Sequence, residues 1–498
     1  MIGITAFGGY IPRLRLSREA VAQANAWYAP QFASQKGERA FANWDEDSVT
    51  MAVAAARDCL GPSEDRSHVR CVLLATNTPP FAERLNSAIV SGALTLDDTV
   101  EATDLGGTQR VALSAISQAI ARSNTYKGDV LVLAADRRRT RAASTQELDY
   151  GDGAAALLIG RNNVLAELVG SATLSVDFVD HFRATGSEID YQWEERWVRE
   201  EGISKLVPRV VAAALKEAGV TADKVDHFIF PTSFSRMDAQ VAKACGVRGN
   251  AIASSMMERI GDCGAAHGLI MLAHVLERAQ PGQIIVLTQF GSGAQAIVLR
   301  TTPLITGFRP VRGVSSWLSR GKEDRNYTRF LSFGGQLQLE RGMRGEQDRK
   351  TALSTAWRNR TALLGLVAGK CRVTGSVHFP PSRLSYDPGA PLQDTQEPYK
   401  LADRAAHILS WSAEYLSYHP SPPHHYGQID FEGGGRILMD SPISTSAKSI
   451  PERRWRWSSG SRTSTRSAAT RGISGRQRRR ATHRARSRTA IEGAGKRG

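Results

Sequence analysis

The stretch Val100-Glu101-Ala102-Thr103-Asp104-Leu105-Gly106-Gly107-Thr108-Gln109-Arg110 decides the fold. It starts as a strand end, narrows to a turn of small residues and enters the helix-like run Val111 to Arg122. The first N–H groups of a helix are free and carry the positive end of its dipole, so such a turn faces one reacting group. Asp104 is the side chain expected there, an anion with a lowered pKa that would cap the helix, act as a base or orient a water.

Short continuous apolar runs flank this stretch. Val69 to Ala75 and Asp129 to Ala134 have the composition of buried central strands, with amphipathic stretches at Asp47 to Leu60, Arg84 to Leu94 and Thr108 to Arg122 between and around them. That alternation predicts a layered α/β fold. The plan then repeats, with helix-like Ser204 to Ala218, strand-like Val225 to Phe230, helix-like Ala265 to Arg278 and strand-like Gln283 to Leu287. Both halves end alike, Gly128 to Leu133 being followed by Gly151-Asp152-Gly153-Ala154-Ala155 and Gly282 to Leu287 by Gly291-Ser292-Gly293-Ala294. An internal duplication is expected.

The chain has 498 residues and 41% hydrophobic content, enough for two or three domains. No run of about 18 apolar residues occurs, and the sequence opens on strand-like Met1 to Thr5, so a cytoplasmic protein without membrane association is expected. Five scattered cysteines without a C-x-x-C pair argue for reduced thiols rather than a disulfide framework. Of the net charge of +15, +13 falls within Pro451 to Gly498. The folded part is nearly neutral, which argues against a nucleic-acid partner despite the basic tail.

Taken together, several segments resemble the thiolase superfamily, most closely 3-hydroxy-3-methylglutaryl-CoA synthases. They are the opening Met1-Ile2-Gly3-Ile4 with Gly9 to Arg13, Asp45-Glu46-Asp47 with Thr50 to Val53, the turn Thr103 to Thr108, and the paired glycine turns at 151 and 291. The resemblance implies a duplicated thiolase-like fold, with an N-terminal half at 1–165, a C-terminal half at 166–300 and a linker at 301–365. Lys370 to Gly375, Phe379 to Arg383 and Ile408 to Phe431 are similar to a rubredoxin-like knuckle with an OB-fold that accompanies such enzymes, here 366–444. Only Cys371 of the knuckle's usual ligands remains and Thr374 takes the next position, so no zinc site is expected. An Arg-rich tail, 445–498, is expected to be disordered.

The resemblance also locates the chemistry. The family's nucleophilic cysteine falls on Asp104, its carboxylate on Asn77 and its histidine on Ile229. In Gly261-Asp262-Cys263-Gly264-Ala265-Ala266-His267-Gly268, Asp262 takes the place of a carbonyl-binding asparagine. Cys263 at a helix start, with His267 four residues on, offers a thiolate paired with a base. The catalytic candidates are therefore Asp104, Cys263 and His267. Asn77, Asp262, Gly291, Ser292 and Gly293 are the candidates for binding substrate. Trp193 to Gly202 is similar to a segment that borders a CoA channel, and reads equally as a solvated amphipathic helix. The implied activity is carbon–carbon bond formation by an acyltransferase whose substrate is an acyl-CoA, with no further cofactor, in a homodimer. Two alternatives stand beside it: an aldolase or retro-aldolase of CoA esters, and a silent acyl-CoA-binding scaffold.

Overall fold

A computed structural model describes residues 1–32, 35–192, 194–342, 352–387, 389, 391–440 and 454–456. The chain divides into two units, Met1–Leu339 and Glu340–Gly498. The first begins β1 (Gly3–Tyr10), β2 (Leu14–Ser17), α1 (Arg18–Asn25), β3 (Glu38–Phe41), α2 (Ser48–Leu60), β4 (Val69–Ala75), α3 (Asn86–Ala93), β5 (Glu101–Leu105) and α4 (Val111–Tyr126). It continues through β6 (Asp129–Arg137), α5 (Thr145–Asp149), β7 (Asp152–Gly160), β8 (Ala166–Ser175), α6 (Glu195–Trp197), α7 (Ser204–Ala218), β9 (His227–Ile229), α8 (Met237–Ala244) and α9 (Met257–Ile260). It closes with α10 (His267–Leu276), β10 (Ile284–Phe290), β11 (Gly293–Thr301), α11 (Gly313–Ser319), β12 (Lys322–Asp324) and α12 (Tyr327–Phe333).

Nine strands form one sheet in the order β5-β4-β6-β7-β1-β8-β11-β10-β9. The order is a palindrome of the duplication. β4 runs parallel to β6 as β9 does to β10, and β6 pairs antiparallel with β7 as β10 does with β11. β1 and β8 meet at the seam. In each half a glycine lets a helix backbone descend onto this inner strand. A Cβ at Gly8 would lie 2.4 Å from the Cys59 nitrogen of α2, and one at Gly170 would lie 2.5 Å from the Ala214 oxygen of α7. α2 starts at a capping box between Asp47 and Thr50 and is buried along most of its length, as its alanine-rich sequence requires.

Residues 301–339, expected to belong to a linker, are part of the first unit. β12 pairs with β2 in a small second sheet, and Phe330 and Phe333 of α12 pack on Phe41 of β3. Their burial depends on partners about three hundred residues away in sequence, which local periodicity does not report.

In the second unit, α13 (Leu353–Arg358) and α14 (Arg360–Gly365) precede β13 (Val367–Cys371), β14 (Val377–His378), β15 (Leu384–Ser385), β16 (Leu392–Gln393) and β17 (Gln396–Lys400). β18 (Ala405–Glu414), β19 (His424–Phe431), β20 (Arg436–Asp440) and β21 (Arg454–Arg456) make a four-stranded sheet in the order β20-β19-β18-β21. Leu366, Leu401, Ile429, Phe431 and Met439 form its core. At the knuckle the Cys371 sulfur lies 3.2 Å from the Thr395 hydroxyl and accepts from the Thr374 N–H at 3.5 Å. Apart from β21, the tail expected to be disordered lies outside the described residues. Among the described residues no helix is long and apolar enough to cross a membrane.

The two halves of the first unit are tied at Asp136, fully buried at the end of β6. Its Oδ1 accepts from the hydroxyls of Thr76 and Thr78 at 3.1 and 2.9 Å and from the Asn77 N–H at 2.8 Å. Its Oδ2 accepts from the Ala265 N–H, just ahead of α10, at 2.8 Å. Burial pushes this carboxyl's pKa up, against the pull of its donors and of Arg138. Asp136→Ala would orphan several buried donors, and we expect a loss of about 3 kcal/mol in unfolding free energy by chemical denaturation.

Candidate active site

The turn after β5 is placed by its neighbours. Gly107, in the left-handed region, donates its N–H to Asn77 Oδ1 at 2.9 Å, and Asn77 Nδ2 donates to the Thr108 carbonyl at 3.0 Å. From the other half, the Gly291 carbonyl accepts from the Thr108 hydroxyl at 2.8 Å and from Arg110 Nε at 3.0 Å. Gln109 is thereby held over Gly264, the residue that begins the approach to α10. A Cβ at Gly264 would lie 3.0 Å from Gln109 Oε1 and 2.5 Å from Asp136 Oδ2, and its φ of +60° also favours glycine.

A cleft opens beside Gln109. Arg138, Tyr150, Asp262 and Gln289 line its polar side, and Val198, Ile203, Phe230, Phe234 and Phe290 its apolar side. Arg138 donates to Asp190 Oδ2 from Nε at 3.0 Å and from Nη2 at 2.7 Å, and to Asp262 Oδ2 at 3.1 Å. Burial works against both charges of the pair. The interaction nonetheless holds Asp190 below the usual carboxylate range and Arg138 above its ordinary value. The guanidinium also covers the Tyr150 ring at 3.3 Å from its centroid. Among the described residues, three buried polar atoms around the cleft have no hydrogen-bond partner: Tyr150 Oη, Gln109 Oε1 and Gln289 Oε1. Such orphans in a cleft mark a place for a polar ligand.

The group best suited to move a proton was not among the sequence candidates. His181, on the segment between β8 and α6 of the second half, lies with Nδ1 2.6 Å from Asp180 Oδ2 and Nε2 3.0 Å from Gln109 Nε2. Asp180 is itself fixed by the Ser292 N–H, 3.1 Å from Oδ1. The Asp180 carboxylate thus accepts a hydrogen bond from Nδ1–H and leaves Nε2 as the basic nitrogen, beside the Gln109 amide. Burial draws the imidazole pKa down, but Asp180, with Asp190 further off, outweighs burial and Arg138, so the net shift is upward. The only sequence signal was an Asp-His dipeptide in a non-periodic stretch.

The expected candidates fall into three groups. Asn77, Asp262, Gly291 and Ser292 come together around Gln109 and His181, and Gly293 continues the same turn into β11. Asp104 does not face α4. Its carboxylate crosses to α3 and accepts from the N–H groups of Asn86 and Ser87 at 2.8 Å each and from Asn86 Nδ2 at 2.9 Å. Cys263 and His267 meet only through the backbone, since His267 Nδ1 accepts from the Cys263 N–H at 3.2 Å. Nε2 of His267 lies 2.8 Å from the Ser255 carbonyl, while the thiol contacts the Gly261 carbonyl at 3.7 Å. Both side chains are fully buried, and burial drives the thiol pKa well up rather than down, so the expected thiolate is not formed. Ile229 is buried in β9. Trp193 lies outside the described residues; Val198 and Ile203, which follow it, put the apolar side of their helix into the cleft. Among the described residues no three His, Cys, Asp or Glu side chains converge to hold a metal ion.

This fold and cleft define a thiolase-like α/β protein. The model of the 3-oxoacyl-[acyl-carrier-protein] synthase III C-terminal family matches residues 215–301. The chain is 29% identical to the hydroxymethylglutaryl-CoA synthase of Caldivirga maquilingensis over 314 residues, which are 61% of this chain and 89% of that one. A solved structure of MvaS in complex with 3-hydroxy-3-methylglutaryl coenzyme A superimposes with a TM-score of 0.56 at 19% identity, over 67% of this chain and 91% of its own. An HMG-CoA synthase complexed with CoA gives 0.58 at 18% identity, over 70% and 94%.

Asp104 thus caps α3. Asp104→Ala should cost about 1–2 kcal/mol of stability, read by chemical denaturation, as loss of a helix cap does. It should leave ligand affinity at the cleft within about twofold, corresponding to under 0.5 kcal/mol.

Proposed function

We propose that the first unit acts on acyl-CoA thioesters and makes or breaks a carbon–carbon bond next to the thioester carbonyl, without an acyl-enzyme. The acyl-CoA assignment rests on the similarity to hydroxymethylglutaryl-CoA synthases. The Asp180–His181 pair at the cleft carries the mechanistic part. Nε2 takes the α-proton in place of the Gln109 amide, and the resulting enolate attacks a second carbonyl; in the reverse sense, the enolate leaves from a 3-hydroxyacyl thioester. The phenylalanines of the cleft would cover the acyl group. Among the described residues no cysteine lines the cleft: Cys59, Cys71 and Cys263 are buried in the first unit, half-buried Cys245 lies outside the lining, and Cys371, whose thiol pKa is lowered to about 6 by hydrogen bonds from Thr374 and Thr395, belongs to the second unit.

Two reaction senses follow from one site. In the synthase-like sense the alkoxide formed by the attack takes the proton back from His181 Nε2 and water then hydrolyses one thioester of the addition product to release free CoA, whereas an aldolase releases a ketone or aldehyde. The lack of a thiol among the described residues that line the cleft favours the aldol sense. We further read the protein as a homodimer pairing through β5, the longer of the two edge strands of the large sheet, since an edge strand offers unpaired backbone groups to a second copy. The second unit is read as the acyl-CoA-associated module with an OB-type fold.

The full chain should release free thiol from acetyl-CoA plus acetoacetyl-CoA, or a carbonyl product from 3-hydroxy-3-methylglutaryl-CoA. His181→Ala should lower that turnover about 10²–10⁴-fold, and Cys263→Ala should retain it. A folded chain that binds CoA thioesters but turns over neither mixture would instead be a scaffold.

The pH dependence has a definite sign. Because the folded His181 pKa is raised, the charged Asp180–His181 pair stabilises the fold fully below the ordinary histidine value, and this contribution is lost as pH rises through the folded value. Neutral His181 appears over that same rise. The acid limb of kcat/KM should therefore be centred above 6.5 and move down in Asp180→Asn.

A further inference from the structure

Tyr150 closes α5 and is clamped from several directions. Its N–H donates to the Gln146 carbonyl at 2.9 Å, the following Gly151 N–H donates to the Asp262 carbonyl at 2.8 Å, and Arg138 covers the ring. The residue is 2% exposed and lines the cleft, yet its hydroxyl is unpartnered. Phenylalanine would fill the same space without burying an unpaired hydroxyl, so packing alone does not explain a tyrosine here.

We propose that Tyr150 Oη donates a hydrogen bond to the thioester carbonyl oxygen of the bound substrate, as the group that holds the enolate oxygen. The role rests on the acyl-CoA reading and adds a second catalytic residue to it. In the step, the α C–H bond breaks and its proton passes to His181 Nε2. The electron pair moves into the new carbon–carbon double bond, and the thioester oxygen takes up the negative charge while accepting from Tyr150. The phenol keeps its own proton throughout. Burial pushes its pKa well above the ordinary range, more than Arg138 draws it down, so it is a donor and not a base at working pH. The lining combines Phe230, Phe234 and Phe290 with the charged Arg138, Asp180 and Asp262, and a donor already fixed in place there needs no reorganisation during the step.

The test is Tyr150→Phe in the full chain, with acetyl-CoA labelled at the carbonyl carbon as probe. In the wild type, the infrared carbonyl stretch of the bound thioester should fall relative to free acetyl-CoA, and its methyl protons should exchange with D2O. In the variant the stretch should return to the free value and exchange should slow about 10²–10³-fold, with affinity within about threefold and stability to denaturant unchanged or raised. Loss of stability in the variant would assign Tyr150 to packing and overturn the proposal, as would an unchanged stretch and exchange rate. A wild-type chain that does not bind acetyl-CoA would overturn the acyl-CoA reading and this role with it. Binding with a shifted stretch but no exchange would overturn the role of His181 and keep that of Tyr150.

Discussion

The Asp136 carboxylate is the constraint on which the site depends. One oxygen is committed to the end of β4 and the other to the approach to α10, which belong to different halves of the duplication. An uncompensated buried carboxylate is costly, so neither segment can shift without the other. Asn77, held by Asp136, in turn holds both ends of the Gly107–Thr108 turn, and through it Gln109. Two residues along from Asp136, Arg138 makes the same kind of link to Asp262. The alternation of a strand accounts for this, since positions 136 and 138 share one side while Arg137 turns to the carbonyls of Glu46 and Phe333.

The duplication was legible because its signals are local. Continuous apolar strands and a glycine turn recur in each half, and the palindromic strand order follows from repeating one motif about a seam. The segment 301–339 was not legible, because β12 and α12 are short and bury themselves against β2 and β3. His181 was hidden for a related reason. Its basicity comes from Asp180, and Asp180 is oriented by Ser292, 112 residues further on. Glycine-turn residues chosen for substrate contact thus act largely by holding other side chains.

Asp104 and Cys263 show where a local rule met a tertiary one. A strand sends successive side chains to opposite faces, and the face given to Asp104 looks onto α3. The helix whose first N–H groups Asp104 meets is α3, not α4. A helix start lowers a thiol pKa where solvent or a cation can stabilise the thiolate, whereas around Cys263 burial, with Asp262 and Asp152 nearby, exceeds any such help.

Asp104 spends its carboxylate on the first N–H groups of α3. A carboxylate bound by three N–H donors has its lone pairs engaged and is a poor acyl acceptor. What lines the cleft is an imidazole with a fixed proton on one nitrogen, together with Tyr150 Oη, Gln109 Oε1 and Gln289 Oε1, which have no hydrogen-bond partner among the described residues. That set lacks what acyl transfer through the protein requires, but it contains what an enolate requires: a base for the α-proton and a donor for the oxygen. The carbon–carbon chemistry proposed here would need those two groups only, and each has a set position: Asp180 fixes His181 and Arg138 covers the Tyr150 ring.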